Sequence, residues 1–201
     1  MVKETEFDFV MDAQNAFRIL LDAFSHPGIV YNISAFELSI PSGFSKANTL
    51  IALSLFDNNI SFSVSNNYLK EVESFIMENT NAKHQTVQNA DYVFFKGKED
   101  ITFLLEECNK GELMFPEKNA TIIIEVTQIS NQFINEQSID LKLSGPGIES
   151  TNTLFVNGMH PANIELLKVI NTEFPLGLDF LLTDELGQIC AITRSTIIQS
   201  N

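Results

Sequence analysis

Two apolar segments near the C-terminus are separated by only four residues, and this spacing constrains the fold more than any other feature of the sequence. Residues 178–183 and 188–192 are largely apolar, and Asp184-Glu185-Leu186-Gly187 connects them. A crossover between parallel strands needs a dozen or more residues, whereas a short connection joins antiparallel strands. The spacing therefore predicts an antiparallel β-hairpin over residues 178–192.

Upstream of this hairpin, helical and strand-like patterns alternate. Apolar residues at positions 13, 16, 17, 20, 21 and 24 recur at helical spacing, so a helix capped by Asp12 is predicted to end at Pro27-Gly28. Residues 121–126 form an apolar run typical of a central strand, and Pro161 is predicted to open a late helix. This alternation predicts an α/β fold, a three-layer arrangement with a mixed sheet between helices.

Length and charge exclude several classes of protein. The 201 residues contain no low-complexity linker, which predicts a single domain over residues 1–201. The formal net charge is -14, and because nucleic acids and anionic membranes are bound through clustered Lys and Arg, neither is expected as a partner. No apolar stretch has the length of a membrane span or a signal peptide, and the two cysteines are far apart, so we expect a cytoplasmic protein with reduced thiols.

No motif identifies a catalytic group or a metal site. The three histidines lack a second ligand at helical or finger spacing, and HExxH and paired CxxC signatures are absent. Cys108 and Cys190 lie in apolar segments, where a thiol packs as a small core residue rather than acting as a nucleophile. We therefore assign no catalytic residue and expect neither a metal nor a cofactor.

The turn Gly145-Pro146-Gly147 is a candidate anion site because it follows a strand-like segment, where backbone N–H groups can hold an anion. Neither a Walker nor a dinucleotide-binding pattern continues from it, and Pro146 has no N–H to donate. A structural tight turn is the favoured interpretation.

A second turn, which contains Pro175 and Gly177, leads into a strand that begins near Asp179. A carboxylate at that position needs a partner, and Arg194 lies just beyond the apolar part of the antiparallel partner strand. We predict that Asp179 and Arg194 pair across the end of the sheet. The alternative is that both side chains are solvated and unrelated.

Five segments carry a family resemblance. They are Phe17-Arg18-Ile19-Leu20-Leu21-Asp22-Ala23-Phe24 with Pro27-Gly28, Pro116-Glu117 with Ala120-Thr121, Gly145-Pro146-Gly147-Ile148, Phe174-Pro175-Leu176-Gly177-Leu178-Asp179, and Arg194-Ser195-Thr196. The five segments follow one another over nearly the whole chain, and in this order they resemble the PhnH family. Members of that family are a subunit of the bacterial carbon–phosphorus lyase complex. The chain departs from the family at Thr193-Arg194-Ser195-Thr196, where Pro-Arg-Thr-Thr is usual, and at Asn119, where Gly is usual.

The resemblance implies an accessory subunit of phosphonate breakdown, which acts with the G, I and J subunits of the same system in forming ribose 1-phosphonate 5-triphosphate. It also implies a homodimer when the subunit is isolated and a fold similar to the large domain of pyridoxal-phosphate-dependent transferases, with no assigned cofactor or catalytic residue. The ligand or interface candidates are Arg18, Pro27, Gly28, Gly145, Pro146, Gly147, Pro175, Gly177, Asp179, Arg194 and Thr196.

The net charge favours the accessory role, because a protein of charge -14 repels a nucleoside triphosphate unless a basic partner completes the site. The competing hypothesis is a stand-alone enzyme or binding protein that holds a phosphorylated small molecule with residues 145–147 and Arg194. Arg18, beside the apolar stripe of the first helix, is either a solvated charge or an anchor of a subunit interface.

Overall fold

The computed structural model describes residues 7–66 and 68–200. The helices of that part are α1 (Met11–Ser25), α2 (Lys46–Leu55), α3 (Lys70–Thr80), α4 (Thr102–Glu107) and α5 (Pro161–Ile170). The strands are β1 (Tyr31–Asn32), β2 (Ser61–Val64), β3 (Lys83–His84), β4 (Tyr92–Lys96), β5 (Thr121–Glu125), β6 (Gln128–Ser130), β7 (Ile139–Ser144), β8 (Asn152–Asn157), β9 (Asp179–Thr183), β10 (Gln188–Ile192) and β11 (Ile197–Ser200).

Seven strands form the larger sheet, in the order β1-β10-β9-β5-β4-β2-β3. Strands β9, β5, β4, β2 and β3 run parallel, and β10 is antiparallel to both of its neighbours. The predicted hairpin is confirmed, since Ile189 of β10 lies opposite Thr183 of β9. The predicted central strand is confirmed as well, because β5 lies in the middle of the sheet.

Both faces of this sheet are covered. Successive side chains of a strand point to opposite faces, so Phe94 of β4 packs against the layer of α1, α2 and α3, while Val93 and Phe95 pack on the other side. In β5, Ile123 points towards the helical layer, and its neighbours point away from it. A sheet that is buried on both faces is typical of parallel α/β architectures, so the prediction of a mixed sheet in an α/β fold is confirmed.

A second sheet was not predicted. Strands β11, β7, β8 and β6 form a four-stranded antiparallel sheet, which shares a core with the larger sheet, α4 and α5. Leu141 and Leu143 of β7, with Leu154 and Val156 of β8, are fully buried in this core. The face expected to carry only helices is therefore shared between two helices and a sheet.

The first helix differs from its predicted pattern. Asp12 lies inside α1 rather than at its cap, and the carboxylate of Asp8 accepts the N–H groups of Val10 and Met11 instead. The buried face of α1 is lined by small residues and one leucine, namely Ala16, Leu20 and Ala23. Phe17 and Leu21 lie one position further round the helix and are about half exposed.

Candidate functional site

Asp179 organises the amino end of β9. Its Oδ1 accepts the backbone N–H of Arg194 at 2.8 Å, and its Oδ2 accepts a hydrogen bond from Asn119 Nδ2 at 2.9 Å. The Arg194 guanidinium lies 3.7 Å from the same Oδ2, and both charged side chains are 20% exposed. The predicted pairing of Asp179 and Arg194 is therefore confirmed, and we call these three residues the Asp179 corner.

The Arg194 side chain is used within the protein. Its Nη1 donates to the carbonyl of Pro116 at 2.7 Å and to the Oδ1 of Asn119. Asn119, the position that departs from the family pattern, thus bridges both members of the ion pair. The guanidinium ties the loop before β5 to the start of β9, which leaves it a weak candidate for ligand recognition.

Gly177 lets another loop approach this corner. Its φ is +139°, and a Cβ there would lie 2.5 Å from the Oδ1 of Asn171 and 3.2 Å from Arg194 Cβ. Its N–H donates to the carbonyl of Lys110 at 3.0 Å. Pro175, two residues earlier, is partly exposed in the same loop. Both residues shape the backbone here, as the turn interpretation predicts.

The turn of residues 145–147 contacts the first and the last of the five segments. A Cβ on Gly147 would lie 2.3 Å from the carbonyl oxygen of Ser25, at the end of α1, and 2.9 Å from Pro27 Cδ. A Cβ on Gly145 would lie 2.9 Å from the carbonyl oxygen of Ser195. These close backbone contacts are those of a structural tight turn, the interpretation favoured by the sequence.

The Pro27-Gly28 corner is buried beside this turn. Asn152 Nδ2 donates to the Pro27 carbonyl at 2.7 Å, and Gly28 N–H donates to the Ala191 carbonyl at 3.0 Å. Gly28 has a φ of +81°, which an L side chain rarely adopts. The corner therefore fastens the end of α1 to both sheets.

The closing segment lines a cleft of about 460 Å³. Thr196 is buried there, and its hydroxyl lies 2.9 Å from that of Thr193. Pro146, Phe174 and Lys168 also line the cleft, which places Pro146, Arg194 and Thr196 around one space. Ten of the eleven candidate residues thus lie in, or contact, segments joined in this region, and among them Asp179 and Arg194 form an ion pair.

Arg18 is the exception. It lies on the exposed face of α1 between the half-exposed Phe17 and the partly buried Ile19, and the described part of the chain gives its side chain no hydrogen bond or ion pair. This placement agrees with either of the two sequence interpretations.

A second polar cluster, which the sequence analysis missed, lies at the opposite, carboxyl edge of the parallel strands. Lys96 at the end of β4 and Glu125 at the end of β5 are register partners, and Nζ lies 2.5 Å from Oε1. Asn48 Nδ2 donates to Glu125 Oε2 at 2.9 Å, and Thr183 Oγ1 donates to Asn48 Oδ1 at 2.8 Å. The Tyr68 hydroxyl lies 3.4 Å from Glu125 Oε2. We call these five residues the Lys96–Glu125 network.

Burial dominates the electrostatics of this network. The Glu125 side chain is 11% exposed and that of Lys96 is 28% exposed, and Lys96 Nζ lies 4.4 Å from the centre of the Tyr68 ring. Burial and the nearby Glu125 carboxylate raise the pKa of Tyr68 far above its ordinary value, so its hydroxyl remains protonated. The sequence signal was a charged residue at the end of each of two apolar strands.

The Lys96–Glu125 network does not fit pyridoxal phosphate. That cofactor needs a lysine for the Schiff base and a separate acid for the pyridinium nitrogen. Within the network, the one carboxylate is bonded to the lysine itself and to Asn48, so it is not available as a separate partner. We therefore derive no step through this cofactor.

A cleft of about 490 Å³ lies beyond the carboxyl ends of β2 and β3. Glu73, His84 and Glu107 line it with polar neighbours, and His84 Nε2 lies 3.8 Å from a Glu73 oxygen. Ser65, also in its lining, is buried, and its hydroxyl has no hydrogen-bond partner among the residues that the structure describes. Carboxyl ends of parallel strands are where α/β proteins most often bind ligands, but the two carboxylates make this cleft unfavourable for a phosphorylated one.

The thiols lie in apolar surroundings, as predicted. Cys108 and Cys190 are both buried and free, and burial raises the pKa of each to about 12. Both therefore remain protonated at neutral pH and are poor nucleophiles. Residues 7–66 and 68–200 contain no group of three or more His, Cys, Asp or Glu side chains placed to hold a metal ion.

Comparison with known proteins gives concordant matches. A family model described as "Bacterial phosphonate metabolism protein (PhnH)" matches residues 6–199. A protein of Stutzerimonas stutzeri named "Putative C-P lyase subunit protein HtxG" is 28% identical over 186 residues, which cover 92% of this chain and 85% of that protein. The "Alpha-D-ribose 1-methylphosphonate 5-triphosphate synthase subunit PhnH" of Rhizobium meliloti (strain 1021) is 27% identical over 195 residues, covering 96% and 92% respectively.

Among the helices that the structure describes, none is both long and apolar enough to cross a membrane.

Proposed function

Because the chain belongs to the bacterial phosphonate metabolism protein family (PhnH), we propose that it is a subunit of a carbon–phosphorus lyase system. In this role it acts with the G, I and J subunits in forming ribose 1-phosphonate 5-triphosphate. The observation that carries the proposal is the match of family and relatives over nearly the full chain, since one relative is named as a C-P lyase subunit and the other as a subunit of an alpha-D-ribose 1-methylphosphonate 5-triphosphate synthase.

The proposed role is accessory rather than catalytic. The polar groups of the Asp179 corner hydrogen-bond to one another and to the loop carbonyl of Pro116. The polar groups of the Lys96–Glu125 network hydrogen-bond to one another. The net charge of -14 disfavours an independent site for a triphosphate. We infer that the catalytic groups and the cationic surface for the substrate are supplied by partner subunits.

A homodimer is part of the proposal, with the outer face of α1 as its interface. Val10, Phe17 and Leu21 are exposed at positions i, i+7 and i+11 of a helical surface, and Arg18 lies beside them. Analytical ultracentrifugation of Arg18→Ala and Phe17→Ser tests this interface. Dissociation with unchanged far-ultraviolet circular dichroism supports it, and an unchanged dimer contradicts it.

We also propose one domain over residues 1–201, with a fold similar to the large domain of pyridoxal-phosphate-dependent transferases. The mixed seven-stranded sheet, with a helical layer on one face, supports this assignment. A cytoplasmic location is supported by the two buried, free thiols. A crystal structure superposed on that transferase domain tests the fold, because a different strand order would contradict it.

The test of function is growth of the host on methylphosphonate as the only phosphorus source. Deletion of this chain is expected to abolish growth on methylphosphonate and to leave growth on inorganic phosphate unchanged. Complementation with the intact chain restores growth. A deletion strain that grows normally on methylphosphonate contradicts the proposed function.

The second candidate function is binding of a phosphorylated small molecule. It is favoured by the cleft of about 460 Å³, whose lining includes the Lys168 side chain and the hydroxyl groups of Ser195 and Thr196. Arg194 lines it too, with its guanidinium bonded to Pro116 and Asn119. Calorimetric titration of the pure protein with ribose 5-phosphate and ATP tests it. Micromolar binding that is lost in Arg194→Ala favours this function, and absence of binding leaves the accessory role.

A further inference from the structure

The turn of residues 112–115 exposes two large apolar side chains. Leu113 is 78% exposed and Met114 is 82% exposed, the highest values for large apolar side chains in the described part of the chain. Single exposed apolar residues are ordinary on protein surfaces, but adjacent ones at the tip of a turn form a protruding apolar contact point. The protein's own cores make no use of them.

This turn is held in a defined conformation. Phe115 N–H donates to the Glu112 carbonyl at 2.9 Å, and Glu112 N–H donates back at 3.4 Å. Gly111, with a φ of +82°, allows close approach to Pro116, since a Cβ there would lie 2.8 Å from the Pro116 carbonyl oxygen. Asn109 Nδ2 closes the base of the loop by donating to the Lys118 carbonyl at 2.8 Å.

The Asp179 corner and Gly177 hold this loop by hydrogen bonds on both sides of the turn. Arg194 Nη1 donates to the carbonyl of Pro116, directly after the turn, and Asn119 bonds to Asp179. Gly177 N–H donates to the carbonyl of Lys110, two residues before it. Because the backbone of the turn is already ordered, binding through it costs little backbone conformational entropy, which favours its use in recognition.

The charges around the turn favour a partner of a different kind over a second copy. Glu112 and Glu117 are exposed beside it. Of the two nearby lysines, Lys110 directs its Nζ to the Glu106 carbonyl at 2.6 Å. Lys118 stays at the turn, with its Nζ 4.2 Å from the centre of the Phe115 ring, and offsets one of the two carboxylates. Two copies meeting at this turn would bring carboxylates together, whereas a basic rim on the partner would complement them.

We propose that the 112–115 turn docks this chain into an apolar, basic-rimmed pocket on a different subunit of its complex, with Leu113 and Met114 as the anchors. This inference rests on the proposed function. It also assigns a purpose to the Asp179 corner, whose residues position the turn without touching the partner.

The experiment is co-expression of the tagged chain with the G, I and J subunits, followed by affinity purification and native mass determination. The variant L113S/M114S is expected to reduce recovery of the partner subunits at least tenfold. Leu186→Ser is the matched control, because Leu186 is also exposed but lies in the β9–β10 connection, and it is expected to recover partners like the wild type. Both variants are expected to melt within about 2 °C of the wild type, since exposed substitutions change stability little.

A double charge reversal tests the basic rim of the proposed pocket. The double reversal E112K/E117K is expected to weaken recovery of the partners, because it places positive charge against a basic rim. Unchanged or increased recovery overturns the basic-rim part of the proposal.

The outcomes separate the two levels of inference. Equal recovery of partners by the wild type and by L113S/M114S overturns the docking role alone. Loss of the homodimer in L113S/M114S, with partner recovery retained, makes the turn a contact between copies and also overturns it. Failure of the wild type to recover any partner contradicts the proposed function, and the docking role with it.

Discussion

The two edges of the larger sheet each carry an ion pair, but the pairs are built for different purposes. At the amino edge, Arg194 and Asp179 are 3.7 Å apart and equally exposed, and their remaining hydrogen bonds go to loop backbone and to the Asn119 side chain. At the carboxyl edge, Lys96 and Glu125 are 2.5 Å apart, and Glu125 is also bonded to Asn48. One pair holds loops in place, and the other closes the ends of neighbouring strands.

The comparison shows how the surroundings determine the contribution of an ion pair. A buried carboxylate has been removed from water, so loss of one partner leaves an uncompensated charge. A pair at a loop corner acts mainly through the backbone groups that it bonds. The carboxyl edge is therefore expected to carry more of the stability, and the amino edge more of the shape that partners contact.

The largest effect is expected at the carboxyl edge. Glu125→Ala leaves Lys96 and Asn48 without their common partner, and we expect a loss of about 3 kcal/mol in the free energy of unfolding. The matched control is Glu165→Ala, whose partner Lys168 is 2.7 Å away but whose side chain is 63% exposed. Urea denaturation is expected to give about 0.5 kcal/mol or less for the control. Equal losses in the two variants would contradict the claim that the buried ion pair contributes more to stability than the exposed one.

At the amino edge, the backbone contacts of the 145–147 turn are expected to matter next. Gly147 and Gly28 share a φ of +81°, so alanine carries the same left-handed penalty at either position. At Gly147 the new Cβ meets the Ser25 carbonyl oxygen at 2.3 Å, whereas at Gly28 the nearest atom is a side-chain methyl carbon, Leu143 Cδ1, at 2.7 Å. Gly147→Ala is expected to cost about 1 to 3 kcal/mol more than Gly28→Ala in urea denaturation. The reverse order would contradict the contact argument.

The Asp179 corner itself is expected to give an asymmetric mutant cycle. Asp179 also accepts the Arg194 backbone N–H, which Arg194→Ala leaves intact. Asp179→Ala is therefore expected to cost about 2 kcal/mol and Arg194→Ala about 1 kcal/mol, with a coupling energy of about 0.5 to 1 kcal/mol. A double-mutant cycle measured by denaturation checks these values. Equal losses in unfolding free energy for the two single variants, with no coupling energy, would show that the two residues do not interact.

The smallest effect concerns Asp184, directly after β9 at the carboxyl edge. Burial raises its pKa above the ordinary 3.8, although the N–H groups of Gln188, Ile129 and Leu186 oppose the shift. The folded state holds this proton more tightly than the unfolded state. Its contribution to stability is therefore present below pH 3.8 and is lost as the pH rises through the folded pKa.

The measurement is the unfolding free energy of the wild type and of Asp184→Asn between pH 7 and pH 4. As the pH falls, the unfolding free energy of the wild type is expected to rise relative to that of the variant. Glu136→Gln, at an exposed loop position, is the control for removal of a carboxylate. A wild type whose unfolding free energy falls relative to that of Asp184→Asn on acidification would contradict the assigned burial effect.

The predictions from sequence succeeded where the information is local. Four residues between two apolar runs are enough to predict the β9–β10 hairpin, and Pro and Gly at fixed positions pointed to the turns around Asp179. The ion pair with Arg194 followed from that hairpin, because antiparallel pairing brings residues after one strand near the start of the other. These features depend on chain geometry over a few residues.

The failures involve contacts that only the assembled fold creates. Lys96 and Glu125 are 29 residues apart and meet because β4 and β5 pair in register. Strands β6 and β11 are short and have no apolar run of their own, so the second sheet depends on pairing with β8 and β7. In α1 the small residue Ala23 faces the core, although the predicted apolar pattern does not include it. Phe17 and Leu21, which the pattern does include, are about half exposed.

The most direct measurement is the native mass of the tagged chain purified from its own host under phosphate starvation. The account predicts an assembly that contains the chain together with the G, I and J subunits of the carbon–phosphorus lyase system. A dimer of this chain alone, from cells in which those subunits are expressed, would contradict it.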